Sequence, residues 1–276
     1  MYWKICGIIL SKKPSIYQIV NIFAILITIV INAIVEAIPL NGVTSKDVSD
    51  YFPSLFTPPG YVFSIWSVIY TLLIVFMLYQ ALPSQRNASY LRPTAIFFVI
   101  GGVINDSWLI LFHYAYAEPS LYAITPILIG LFLVLMLYTY TKLEIGEVNV
   151  PIKQKIAVHL PISVYAGWVS VAVIANIASV LNTIIPGIPI ATQEIWTALV
   201  IIVALVITML MLVLHRDAAF GLVVIWATVG ISTAQSAIPI IYFSAIGSAL
   251  IIAIAILLLP IITKKGYSNF YLRNEE

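Results

Sequence analysis

Charged side chains are scarce in this sequence. They make up 9% of its 276 residues, whereas 62% of the residues are hydrophobic and the mean hydropathy is +1.08. A soluble domain carries about 25% charged residues, so this chain has too few of them to cover an apolar core in water. The net charge of +2 is spread over several loops, and this excludes nucleic acid as a partner because no patch is basic enough to neutralise several phosphates.

Reactive and metal-binding side chains are also few. Cys6 is the single cysteine, so the sequence allows no internal disulfide and no cysteine-based metal site. No lysine lies between Lys155 and Lys264, which excludes a retinal Schiff base in a late helix. The signatures of zinc proteases, phosphate-binding glycine loops and serine nucleophile elbows are absent, and no general acid and base pair is evident. We therefore predict that the protein is not an enzyme, binds no metal and requires no cofactor.

Long apolar runs dominate the rest of the sequence. Each is near the ~20 residues that a helix needs to cross the hydrocarbon layer, and none alternates apolar with polar residues as a membrane β-strand does. The predicted fold class is all-α, a polytopic transmembrane helical bundle of about eight spans. The predicted spans are residues 16–37, 60–82, 93–116, 119–142, 156–183, 193–214, 218–235 and 238–262.

The basic residues indicate an orientation for these spans. Loops that remain in the cytoplasm retain Lys and Arg, and an N-terminus inside the cell leaves only Lys46, of 13 Lys and Arg residues, on the outside. We predict a multi-pass protein of the cell membrane with both termini cytoplasmic, a cytoplasmic segment at residues 1–15 and a cytoplasmic tail at 264–276. The longest outside connection, residues 41–59, is expected to lie over the mouth of the bundle.

Two of the predicted helices carry a stripe of aromatic and polar side chains on one face. The members follow spacings of three and four residues, which place them on the same side of a helix. The stripes are Phe63, Trp66 and Tyr70 in the second span, and Tyr165, Trp168, Ala172 and Asn176 in the fifth. A buried indole or amide needs a hydrogen-bond partner, so helix packing alone does not account for Trp168 and Asn176.

The third span contains an acid near its middle. Asp106 lies between Asn105 and Trp108, and an ionised carboxylate that faced lipid at this depth would cost about 2.5 kcal/mol or more. We therefore expect Asp106 to face the bundle interior or to be protonated. Two roles stay open, a carboxyl group hydrogen-bonded between helices and a group that binds a ligand or a proton.

These motifs resemble those of the tryptophan-rich sensory protein family, also known as the translocator protein or peripheral benzodiazepine receptor family. The resemblance covers residues 16–183, which correspond to the five-helix unit of the family, and residues 184–263 would add three transmembrane helices. The spacing from Phe63 to Trp66 is one residue shorter than in the family, which rotates Trp66 by about 100°. The matching residues are Pro58, Pro59, Tyr61, Phe63, Trp66 and Tyr70 in the second helix, Asn105 and Trp108 in the third, and Tyr165, Trp168, Ala172 and Asn176 in the fifth.

Members of that family bind porphyrins, sterols and synthetic aromatic ligands inside the five-helix bundle, beneath the loop that joins the first two helices. The resemblance implies a corresponding ligand pocket in this chain, and the depth of Asp106 adds that residue to the candidates. The candidate ligand-binding residues are Trp66, Tyr70, Asn105, Asp106, Trp108, Tyr165, Trp168, Ala172 and Asn176.

The leading functional hypothesis is an integral membrane protein that binds a flat apolar ligand, porphyrin-like or sterol-like, as a sensor or translocator. One alternative is a proton-coupled secondary transporter that uses Asp106. Another is a membrane sensor or assembly partner that transports nothing. The expected partners are a small hydrophobic ligand, for which a tetrapyrrole is a candidate, and membrane lipids; a homodimer is left open.

Overall fold

All eight predicted spans are helices in a computed structural model, which describes residues 13–185, 187–263 and 267–269. Within these residues, seven helices are long and apolar enough to cross a membrane, and the seventh in chain order is shorter, with 17 residues. The prediction of a polytopic helical bundle is confirmed. We label the helices α1 (Ile16–Ala37), α2 (Gly60–Gln80), α3 (Leu91–Tyr114), α4 (Pro119–Lys142), α5 (Ile152–Ile184), α6 (Ile190–His215), α7 (Ala218–Ala234) and α8 (Pro239–Thr263).

Helix α5 begins four residues earlier than predicted. Its first turns include a π-helical segment, Lys155–His159, which ends two residues before Pro161. In a regular helix the proline ring would clash with the carbonyl group four residues before it, at Ala157. The wider turn accommodates the proline, so the helix continues through a residue that would otherwise end it.

The centre of the bundle is α5, which packs against α2, α4 and α7. More than half of its most apolar stretch is buried within the protein. Gly167 permits a close approach to α7, because a Cβ atom there would lie 3.2 Å from the Phe220 carbonyl oxygen and 3.1 Å from Val223 Cβ. Small residues allow helix backbones to approach in this way within a membrane.

The remaining helices surround α5 in two groups. Helix α1 packs against α2 and α3, and α3 packs against α4, whereas α6, α7 and α8 pack against one another. One continuous apolar core includes buried residues from all eight helices. The loop of residues 38–59 lies at one end of the bundle, called here the loop end; the turn at residues 81–90 lies at the opposite, basal end.

Two parts of the predicted organisation remain predictions. The division at residue 183 into a five-helix domain and three additional helices has no independent test. Cys6 lies outside the described residues, as do most of the predicted cytoplasmic segments at 1–15 and 264–276.

A buried polar network closes the basal end next to α7. The Asp217 carboxylate accepts hydrogen bonds from the Tyr140 hydroxyl at 2.7 Å and from the Phe220 amide at 2.9 Å, and the second bond caps the start of α7. The Asn269 side chain donates to Ser163 Oγ at 2.8 Å, which ties the last described segment of the chain to α5. Burial raises the pKa of the Asp217 carboxyl group above its usual value.

Candidate functional site: an aromatic cavity at the loop end

A cavity of about 560 Å³ opens at the loop end of the bundle. This volume lies in the range of small-molecule sites. Its walls come from α1, α2, α3, the start of α4 and α5, and the loop of residues 38–59 covers it. Its lining residues include Asn32, Glu36, Lys46, Pro58, Phe63, Trp66, Tyr70, Trp108, Phe112, Tyr122, Trp168, Ala172, Asn176 and Ser179.

Aromatic rings form a large part of the cavity wall. The Trp66 ring stacks on Tyr70 with centroids 5.6 Å apart, and it meets Trp168 edge to face at 6.2 Å. Phe63 contacts the same Trp168 ring at 5.9 Å. Trp66 and Phe63 both line the cavity. Flat apolar molecules gain a large contact area on such surfaces.

Two buried hydrogen-bond donors on the cavity wall have no partner among the described residues. They are the indole nitrogen of Trp168 and the side-chain nitrogen of Asn176, which lies near the Tyr122 hydroxyl without meeting hydrogen-bond geometry. The carbonyl oxygen of Asn176 is occupied, because it accepts a hydrogen bond from the Trp108 indole at 3.4 Å. Buried donors are almost always satisfied in folded proteins, so these two indicate a ligand that supplies acceptors.

A comparison with protein-family models identifies the family of the chain. The family model for TSPO-like proteins matches residues 18–258. The chain belongs to the TSPO-like protein family. The match extends beyond the five-helix unit and includes α6, α7 and most of α8. No curated protein and no solved structure matches the chain.

Six of the nine candidate residues line the cavity of this TSPO-like protein, and three do not. Asn105 and Tyr165 line a separate void of about 10 Å³ between helices α1 to α5. Asp106 is half-buried between α1 and α3, where its Oδ1 atom accepts hydrogen bonds from Asn32 at 3.4 Å and Asn105 at 3.2 Å. The six that line the cavity are Trp66, Tyr70, Trp108, Trp168, Ala172 and Asn176.

The loop that covers the cavity contains a short helix, Ser45–Tyr51, that sequence reasoning missed. Its signal was present in the sequence as Thr44 and Asp47, a capping pair three residues apart. The backbone amide of Thr44 donates to the Asp47 carboxylate at 2.8 Å, and the Asp47 amide donates to Thr44 Oγ1 at 3.3 Å. Hydrogen bonds from the side chain and the backbone of Thr44 lower the pKa of the Asp47 carboxyl group.

Two charged residues at the cavity mouth were also missed. Glu36, at the end of α1, accepts a hydrogen bond from Ser45 Oγ at 3.1 Å and thereby joins α1 to the short helix. Lys46 forms a salt bridge with Asp50, and its hydrogen bond to that carboxylate raises the pKa of the ammonium group. The mouth therefore presents both signs of charge, and the cavity becomes more aromatic with depth.

The loop is fixed to the bundle by buried contacts. Phe52 stacks on Tyr122 with ring centroids 3.8 Å apart. Ser179 on α5 donates to the Phe52 carbonyl oxygen and accepts a hydrogen bond from the Tyr122 hydroxyl at 2.8 Å. These contacts connect the loop, α4 and α5 directly above the cavity.

Helix α7 supports the start of α2, where the cavity-lining aromatic residues begin. The Trp226 indole donates to the Val62 carbonyl oxygen at 3.0 Å. Tyr61 contacts the Trp226 ring edge to face at 5.7 Å and shares a hydrogen bond with Thr233 at 3.2 Å. Gly230 packs directly beneath Val62. Helix α7 therefore helps to set the position of one cavity wall.

Proposed function

We propose that this TSPO-like membrane protein binds a flat, largely apolar small molecule with hydrogen-bond acceptors in the loop-end cavity. One observation carries the proposal: an aromatic cavity of suitable volume contains two buried donors, on Trp168 and Asn176, that lack partners among the described residues. The aromatic rings would provide most of the contact area with the ligand, and the two donors would fix the orientation of the ligand in the cavity. The proposal requires no catalytic step.

The positions of the two donors favour a porphyrin-like ligand over a sterol-like one. Trp168 and Asn176 are eight residues apart on α5, which corresponds to ~12 Å along the helix axis. A sterol has one hydroxyl group and can satisfy one of these donors. A tetrapyrrole with carboxylate substituents has acceptors at well-separated points on a flat apolar body, so it can reach both.

Titration of the purified protein with a dicarboxylic tetrapyrrole, followed by quenching of tryptophan fluorescence, tests this proposal. We expect saturable binding of one ligand per chain, because three tryptophans line the loop-end cavity. A porphyrin of the same ring size with only alkyl substituents should bind more weakly, since it leaves the two donors unsatisfied. Quenching without saturation would contradict the proposal.

The same cavity is suited to a sensor or to a translocator. Uptake of the bound tetrapyrrole into liposomes that contain the protein distinguishes these two roles. A translocator transfers the ligand to the lumen, whereas a sensor binds it with the same affinity and produces no flux. In either role the ligand occupies the loop-end cavity.

We further propose that the protein lies in the cell membrane and that its basal end faces the cytoplasm. The described basic residues support this orientation, because Lys46 lies at the loop end and the others lie at the basal end. Single cysteines introduced by Ser236→Cys and Ser84→Cys in a Cys6→Ser background test it. A membrane-impermeant thiol reagent should label Ser236→Cys, and not Ser84→Cys, in intact cells; the reverse pattern would overturn the orientation.

A further inference from the structure

Helix α1 carries a line of polar side chains along its inward face for nearly the whole depth of the membrane. Its members recur at multiples of one helical turn, and from first to last they span ~27 Å, close to the thickness of the hydrocarbon layer. Lipid-facing helices have no need of such a line, and its lower members are fully buried. The members are Gln18, Asn21, Thr28, Asn32 and Glu36.

Two unpartnered acceptors lie at the basal part of this line, one on Asn21 of α1 and one on Gln80 of the neighbouring α2. Gln18 donates to the Gln80 carbonyl oxygen at 2.6 Å, and Asn21 donates to Thr94 Oγ1 at 3.1 Å. The side-chain oxygens of Asn21 and Gln80 are buried and have no donor among the described residues. Helix packing explains the amide nitrogens, which all have partners, and leaves the two oxygens unexplained. They indicate a mobile donor such as water or hydronium.

The loop-end part of the line surrounds Asp106. Asn32 and Asn105 donate to its carboxylate, and Asn105 also lines the small void together with Thr28. The void, about 10 Å³, is at the lower limit of the space that one water molecule occupies. Asn32 also lines the loop-end cavity, so Asp106 is one side chain away from both spaces.

An apolar layer separates the two polar parts. Ile25 lies between Asn21 and Thr28 on α1, and it is fully buried. Leu73 on α2 and Phe98 on α3, also buried, line the same void as Ile25. Apolar constrictions of this kind block water and ions until a side chain moves.

We propose that this line is a gated proton path, in which Asp106 carries the proton and Ile25 closes the path at its centre. A hydronium ion in the loop-end cavity transfers a proton to the Asp106 carboxylate and becomes water. When the apolar layer opens, the carboxyl group transfers that proton to a water molecule on the basal side. The hydronium formed there donates hydrogen bonds to the side-chain oxygens of Asn21 and Gln80, and the carboxylate is restored.

The titratable groups around Asp106 are consistent with this role. The Tyr70 hydroxyl on α2 lies close enough to interact electrostatically with Asp106 and with Glu36 on α1. The Tyr165 hydroxyl on α5 lies close enough to interact with Asp106 and with Tyr70. Among the described residues, Lys46 is the one Lys or Arg at the loop end, and its charge is paired with Asp50. No described Lys or Arg forms a salt bridge with Asp106, so its carboxylate is available to a proton.

Proton flux into liposomes that contain the full chain and a pH-sensitive dye tests this path, with the membrane potential clamped by potassium and valinomycin. Ile25→Ser should raise the flux by at least about tenfold, because a hydroxyl group hydrates the apolar layer. Leu73→Ser, which changes the same apolar layer on α2, should raise the flux by a similar factor. This second variant keeps the test valid if Ile25→Ser does not fold. Ile27→Ser is the matched control, because Ile27 is 56% exposed on the lipid-facing side of the same helix.

The decisive variant combines Ile25→Ser with Asp106→Asn. We expect this pair to return the flux to the wild-type rate, since Asn cannot carry the proton. Flux that persists in the double variant would overturn the assignment of Asp106, and unchanged flux in both folded single variants would overturn the gate. Tetrapyrrole affinity should be the same in all of these variants, so failure of this path and failure of the proposed ligand site are distinguishable.

Discussion

Replacement of Trp168 by alanine is expected to weaken tetrapyrrole binding by roughly 30-fold, equivalent to about 2 kcal/mol. Trp168 is buried, contacts both Phe63 and Trp66 at the cavity wall, and provides one of the two unpartnered donors. The variant therefore removes aromatic contact area and a hydrogen bond together. Fluorescence titration or calorimetry on the purified protein measures the change in affinity.

Two further variants separate these contributions. Trp168→Phe keeps an aromatic ring and removes the N–H group, so we expect a loss of only about fivefold to tenfold, the usual value of one buried hydrogen bond. Trp196→Ala is the matched control, because Trp196 is 47% exposed on α6 and does not line the cavity. Wild-type affinity in both Trp168→Ala and Trp108→Ala would show that the ligand binds elsewhere.

Replacement of Gly230 by leucine is expected to destabilise the protein and weaken ligand binding together. A Cβ atom at Gly230 would lie 2.4 Å from Val62 Cγ2, so the packing between α7 and the start of α2 must shift. Overpacking of this kind costs about 1–3 kcal/mol or more. The displacement also disturbs the hydrogen bond from Trp226 to Val62 and, through α2, the position of Trp66. Thermal unfolding in detergent and tetrapyrrole affinity measure the two effects.

Gly247→Leu on α8 is the matched control for this substitution. A Cβ atom at Gly247 meets no described atom within 4 Å, so the same change of residue is expected to leave both the melting temperature and the affinity unchanged. If Gly230→Leu had the melting temperature of the wild type, the contact between α7 and α2 would be contradicted. A lower melting temperature with unchanged affinity would show that the contact supports the fold and not the cavity.

The fold was predictable because the membrane imposes a simple rule. A span needs about 20 apolar residues whose backbone groups are paired within the helix, and the runs in this sequence are long enough to be recognised one by one. The exceptions have local causes. Helix α5 starts earlier because a π-helical turn accommodates Pro161, and Ser45–Tyr51 forms a helix because Thr44 and Asp47 cap it.

The candidate site was predictable in part, because helical spacing identifies a face and does not identify its neighbour. On α5, Trp168, Ala172 and Asn176 share a face, and that face borders the cavity. On α3, Asn105 and Trp108 also lie near one another around the helix axis, but Trp108 borders the cavity and Asn105 borders the small void. The boundary between the cavity and the small void depends on how α1 packs against α3. The spacing of residues within α3 does not predict that packing.

The sequence also does not predict that α7 supports the start of α2, because spacing within one helix does not identify its neighbours. Trp226 and Val62 are 164 residues apart in the chain, and neither residue has a pattern that specifies the other. An indole in a membrane helix is equally consistent with a position at the lipid interface. Contact between α7 and the cavity wall follows only from the arrangement of α2, α5 and α7.

The central claim is that the loop-end cavity holds the ligand, and a structure of the protein with a bound dicarboxylic tetrapyrrole tests it most directly. The account predicts ligand density between Trp66, Trp108 and Trp168, with acceptor atoms about 3 Å from the indole nitrogen of Trp168 and the amide nitrogen of Asn176. Density on a lipid-facing surface, with the cavity free of ligand, would contradict it.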